Sequence, residues 1–158
     1  MAGPKQHTYS ADLTWEGNHG TGTAEYATYG REHRIAIAGK PDLAGSADPA
    51  FRGDAGRHNP EDLLVAAVAS CHMLSYLALC ARQRIAVTRY SDSASGTLAL
   101  RPDGGGGFTE VTLRPRVTIA KGGDAAAALA LHDRAHALCF IANSCSFPIH
   151  HQAQVDVE

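Results

Sequence analysis

The sequence predicts a mixed α/β fold of the α+β type, with elements in the order β-β-β-α-β-β-α-β. Three observations carry that reading. Up to Gly39 the chain holds short alternating runs separated by glycines. From Asn59 to Arg84 it is one long apolar segment with a clear helix start. From Ile85 to Ala120 alternation returns. Strict alternation marks half-buried strands, and a long apolar segment behind a capping residue marks a helix. The chain of 158 residues is the size of one domain, taken as residues 1–158, and has no repeat of solenoid period.

The first strand is read in "HTYSADLTWEG", where Tyr9, Ala11, Leu13 and Trp15 alternate. "GTAEYATYG" and "HRIAIAG" supply the second and third, so an antiparallel meander is expected. "KPDLAGSADPAFRGDAGRH", from Lys40 to His58, has no period and reads as a long loop. In "NPEDLLVAAVASCHMLSYLALCARQR", Asn59 is a good N-cap and Pro60 fits the first helical position. Glu61 and Asp62 favour the positive end of the helix dipole. The helix is apolar on all faces from Leu63 to Ala81, as expected of a central core helix. "IAVTRYSDSASGTLALRP" and "FTEVTLRPRVTIA" read as two long strands joined by "DGGGG". "GDAAAALALHDRAHALCFIANS" is the second helix, and "HQAQVDVE" is a closing strand.

Composition excludes several function classes. The net charge is −2 with no basic run, unlike a nucleic-acid binder. The apolar helix is too polar at both ends to be expected in a membrane, and "MAGPKQHTYS" lacks the apolar region of a signal peptide. A cytoplasmic location is therefore expected, where four cysteines serve as thiols, ligands or catalytic groups.

Cys71 and Cys80 lie nine apart on one helix, about 13 Å along its axis, too far for a disulfide. What remains is a first-helix cysteine paired with one on or just after the second helix, and Cys71 with Cys139 is the attractive choice. A lone cysteine on an apolar helix is otherwise a small buried hydrophobe. For Cys71 to react, a nearby cation is needed, and Arg31, Arg34, Arg52 and Arg57 are the candidates. Glu61 could hold such an arginine, but ten residues along one helix put it about 15 Å from Cys71. Either the helix breaks after its first turns or Glu61 comes from a partner chain. The second is preferred, and it predicts a symmetric homodimer with active sites at its interface.

The histidines offer a rival chemistry. His132, His136 and Cys139 recur at helical spacing, with His150 or His151 as a fourth metal donor. The pattern lacks the glutamate base that makes paired helical histidines informative, so neither a metal nor a cofactor is expected. His132 and His136 read instead as bystanders on a half-exposed face. His72 points about 100° away from Cys71 and reads as a core or interface histidine.

"NPEDLLVAAVASCHMLSYLAL", "HALCFIANS" and "ATYGREHR" together resemble the OsmC/Ohr family of thiol-dependent hydroperoxide reductases, over nearly the whole chain. The resemblance implies an OsmC-like fold, with two central helices wrapped by curved antiparallel sheets in an intertwined homodimer. It places Cys71 on the peroxidatic cysteine, Cys139 on the resolving one, Glu61 on the family's glutamate and Arg31 on its arginine. Where members commonly carry proline after the resolving cysteine, this chain has Phe140. The implied activity reduces organic hydroperoxides to alcohols through a Cys71 sulfenate and a Cys71–Cys139 disulfide, reset by a dithiol reductant of lipoyl or small-thiol type. The alternatives are an OsmC-like dimer that binds a small ligand or serves in stress response without turnover, and a metal-binding protein using His132, His136 and Cys139. Cys80 and Cys145 have no place in the family pattern.

Overall fold

A computed structural model describes residue 3 and residues 5–158. Its contacts gather into two compact units, one ending at Leu63 and one from Leu64 to Glu158.

The first unit is built on a three-stranded antiparallel sheet, β1 (Asp12–Trp15), β2 (His33–Ala36) and β3 (Leu43–Gly45). Register runs from Asp12 opposite Ala36 to Trp15 opposite His33, and β3 adds Leu43 opposite Ile35. Two expectations are corrected here. "GTAEYATYG" is no strand: it is a succession of turns, closed by Ala24 N–H to Thr21 O and Thr28 N–H to Glu25 O. The third strand lies inside the segment read as a loop. The turns leave and return through one narrow neck, where Gly30 N–H donates to Gly17 O at 2.8 Å and Trp15 Nε1 donates to Gly30 O at 2.8 Å. A Cβ on Gly17 would meet the Gly30 carbonyl oxygen at 2.0 Å, so only glycine fits.

Helix α1 (Pro60–Arg82) starts where the sequence places it. Asn59 Oδ1 accepts from Asp62 N–H at 2.8 Å, with Pro60 first in the helix and Glu61 and Asp62 in its first turn. Its end is closed by Ile85 N–H to Cys80 O at 2.9 Å, with Arg84 left-handed at φ 57°. By length and composition α1 could cross a membrane. Its buried residues are Val68, His72, Tyr76, Leu79 and Cys80, one face rather than the whole circumference.

In the second unit each expected long strand is two. The first splits into β4 (Val87–Asp92) and β5 (Ser95–Leu100), the second into β6 (Gly106–Leu113) and β7 (Pro115–Ile119). The closing strand is likewise β8 (Ile149–His151) and β9 (Gln154–Val157). The halves go to different sheets, β4-β7-β9 and β5-β6-β8. Asp92 sits at the break, its Oδ1 accepting from Arg114 N–H at 2.7 Å. The sheets are mixed rather than wholly antiparallel: β8 runs parallel to β6, and β9 parallel to β7.

Helix α2 (Ala125–Leu138) is capped by Asp124, which accepts from Ala127 N–H at 2.9 Å. It stops at Cys139, whose backbone is extended. One core joins Tyr76, Leu79 and Cys80 of α1 to Val117 and Ile119 of β7 and Ala128 and Ala135 of α2. A second joins Val68 to Val111 and Leu113 of β6, under Phe108, Ile141 and Phe147. Each fully buried Leu or Ile here stabilises the fold by about 1.5–3 kcal/mol.

Candidate active site

The two cysteines singled out by the sequence come together. Cys71, half-buried on α1, is a near neighbour of Cys139, which is wholly buried at the end of α2. All four cysteines are free thiols. Burial pushes the Cys139 thiol up to about 11, and neighbouring Cys71 adds to the rise. The Ala142 N–H opposes it, donating to Cys139 Sγ at 3.4 Å. Cys139 is therefore protonated at neutral pH, while Cys71 is the more exposed thiol of the two. Burial also raises Cys80 and Cys145. Helix α1 is unbroken between Glu61 and Cys71, which removes the helix break as a route to joining them.

Arg31 and Glu61 share a cavity of about 320 Å³ in the first unit, with Trp15, Tyr29, Phe51 and Pro60 among its walls. Arg31 is half-buried, and its own turns hold it. Its guanidinium donates to Tyr26 O at 2.7 Å and to Tyr29 O, and stacks over both rings, 3.8 Å from the Tyr29 centroid and 4.4 Å from that of Tyr26. No ion pair joins Arg31 to Glu61 among the described residues. The other arginines are placed differently. Arg34 is exposed and pairs with Glu16 at 3.3 Å and Asp42 at 3.2 Å. Arg57 pairs with Asp54 at 3.7 Å. Arg52, left-handed at φ 65°, lines an adjoining cavity with His19 and Arg31.

The histidines correct the sequence reading. His132 is not half-exposed but wholly buried, and so is His72. One imidazole N–H donates to the other ring, His72 Nε2 to His132 Nδ1 distance 3.0 Å. His132 also lies flat on Tyr76, centroids 3.9 Å apart. His151 tilts against both histidines and meets Asp133 at 3.1 Å. Burial holds His72 down to about 4 and His132 down to about 3, and the neighbouring imidazoles reinforce it. Sequence spacing put His132 on the face of Cys139. It could not show that His72 of another element stands opposite. Among the described residues, no three His, Cys, Asp or Glu side chains converge to hold a metal.

A partly exposed thiol beside a buried one can be oxidised and then trapped as a disulfide, the chemistry of a two-cysteine redox site. The comparisons bear on the same scaffold. No curated protein matches the chain. An OsmC-like protein of unknown function from Vibrio cholerae O1 biovar eltor is similar in structure, at 30% identity and TM-score 0.84, covering 94% of this chain and 99% of the other. Two organic hydroperoxide resistance proteins share the fold. That from Elizabethkingia anophelis is 19% identical at TM-score 0.69, covering 98% and 99%; that from Legionella pneumophila is 21% identical at TM-score 0.68, covering 96% and 99%. The sequence model described as OsmC-like protein matches residues 53–154, which include both cysteines and Glu61. The two helices, the split sheets and this match agree: the chain belongs to the OsmC-like protein family.

Proposed function

We propose that the chain is a thiol-dependent peroxidase that reduces organic hydroperoxides to alcohols. The observation that carries this reading is the pairing of a half-buried Cys71 thiol with a buried Cys139 thiol. The Cys71 thiolate attacks the terminal peroxide oxygen. The O–O bond breaks, Cys71 becomes a sulfenic acid, and the alkoxide takes a proton to leave as alcohol. Cys139 gives up its proton, attacks the sulfenic sulfur and expels water, leaving a Cys71–Cys139 disulfide. A dithiol reductant, lipoyl-type or a small thiol, then exchanges the disulfide back. Burial keeps Cys139 from being oxidised first, because its thiol stays protonated.

Arg31 stabilises the thiolate and the charge that develops on the leaving oxygen, and Glu61 keeps Arg31 facing the substrate. The protein works as a homodimer in the cytoplasm. Ten residues of unbroken helix part Glu61 from Cys71, about 15 Å of rise, and a second copy supplies the missing approach. Arg31 and Glu61, which share one cavity, are then delivered to Cys71 of the partner. Steady-state consumption of cumene hydroperoxide with dihydrolipoamide as reductant tests the reading. Wild-type protein turns over, and Cys71→Ser falls to background. Turnover that survives Cys71→Ser contradicts it.

A further inference from the structure

We propose that His72 and His132 are positioning residues for the thiol pair: their buried hydrogen bond holds α2 against α1 in the register at which Cys71 and Cys139 meet. The inference rests on reading those cysteines as a redox pair.

Each histidine is tied to one thiol by its own helix. His72 follows Cys71 directly on α1, about 1.5 Å further along and roughly 100° around. Cys139 follows His132 by seven residues, as the residue that caps the C-terminal end of α2 about 10 Å further along its axis. The helices are thus joined at two separate places, thiol to thiol and imidazole to imidazole. The apolar core that α1 and α2 also share presses them together without direction, so one polar contact alone leaves α2 able to swing about it. A disulfide forms only when the two Cβ atoms come within about 3.5–4.5 Å, so a small slide separates the sulfurs.

The imidazole contact is fitted to prevent that slide. His132 is held in two directions, edge-on by the 3.0 Å bond to His72 and face-on by Tyr76, one turn further along α1. The rings of His72 and His132 lie within 7° of parallel. Among the described residues, His72 Nδ1 and His132 Nε2 are buried without hydrogen-bond partners. An apolar pair of the same shape would fill this space without that desolvation cost. What imidazoles add is a directional bond, and buried polar pairs of this kind specify register at some loss of stability.

Equilibration of the full chain in glutathione buffers tests the proposal without any peroxide. Cys71 and Cys139 together give two electrons and two protons to oxidised glutathione, forming the protein disulfide and two molecules of reduced glutathione. Peptide mass spectrometry reads the disulfide fraction, and hence the effective concentration of one thiol toward the other. Replacing His72 and His132 both by Phe removes the bond and leaves no orphaned nitrogen, and its urea midpoint checks that the core accommodates the larger rings. In that variant the effective concentration falls about tenfold, the weight of one ordinary hydrogen bond. His72→Gln, whose amide reaches the place of Nε2, stays within about threefold of wild type. The alkylation rate of Cys71 is the same in all three proteins. Equal effective concentrations in the double Phe variant and wild type overturn the proposal, as does an equal fall in both variants. Wild-type protein that forms the disulfide here but does not turn over peroxide overturns the peroxidase reading and leaves the positioning role intact.

Discussion

Arg31 and Cys139 are assigned to one reaction, yet they are held by opposite means. Arg31 belongs to a stretch of turns, and the hydrogen bonds and ring contacts of its guanidinium all lie within five residues: the Tyr26 and Tyr29 carbonyls and the rings of the same two tyrosines. Cys139 takes one local hydrogen bond, from Ala142 N–H, but is wholly buried beside Cys71 on α1, an element far away in sequence. Local placement leaves Arg31 partly open to solvent, able to meet a substrate. Tertiary placement hides Cys139 and raises its pKa to about 11, which suits the second step of the proposed reaction. The order of the proposed chemistry therefore follows from where each group gets its support.

Predictions can break or sharpen that contrast. The largest effect is expected from Cys71→Ser, which removes the more exposed thiol of the pair; peroxide consumption falls to background, and residual turnover would contradict the division of roles. Next, Leu113→Ala opens the core of the distant-contact region and costs about 2–5 kcal/mol in urea unfolding. Arg31→Ala leaves that core intact. It slows peroxide reduction about a hundredfold, as loss of a charge-stabilising donor does, and lowers the unfolding midpoint less than Leu113→Ala does. An unchanged rate would remove Arg31 from the site.

The pH dependence is a smaller effect and separates the regions again. His72 and His132 titrate near 4 and 3 when folded and near 6.5 when unfolded, so below 6.5 the unfolded chain takes up protons that the folded one refuses. Their contribution to stability is complete above pH 6.5 and is lost as pH falls from there to about 3. Urea midpoints should show this slope in wild type and a shallower one when both histidines are replaced by Phe. Arg34→Ala is expected to do least, because its pairs with Glu16 and Asp42 lie in solvent. No measurable change in unfolding midpoint is expected.

The same contrast explains what the sequence could show. Helix α1 was legible because its signals are local: the Asn59 cap, Pro60 and a continuous apolar run. So was the exclusion of Cys71 with Cys80, which needs only helix geometry. The segment "GTAEYATYG" misled because its tyrosines resemble a strand, whereas here two of them cradle Arg31. The parallel partners β8 and β9 were hidden because such pairing joins strands some forty residues apart and leaves no periodic mark in either. The break at Arg114 depends on Asp92, a contact across twenty-two positions. His72 opposite His132 spans sixty.

The most direct test of the account is mass spectrometry of reduced protein after one equivalent of cumene hydroperoxide, intact and then as peptides. The account predicts a single Cys71–Cys139 disulfide forming within seconds, with Cys80 and Cys145 still alkylatable. Persistent free thiols, or oxidation scattered over all four cysteines, would contradict it.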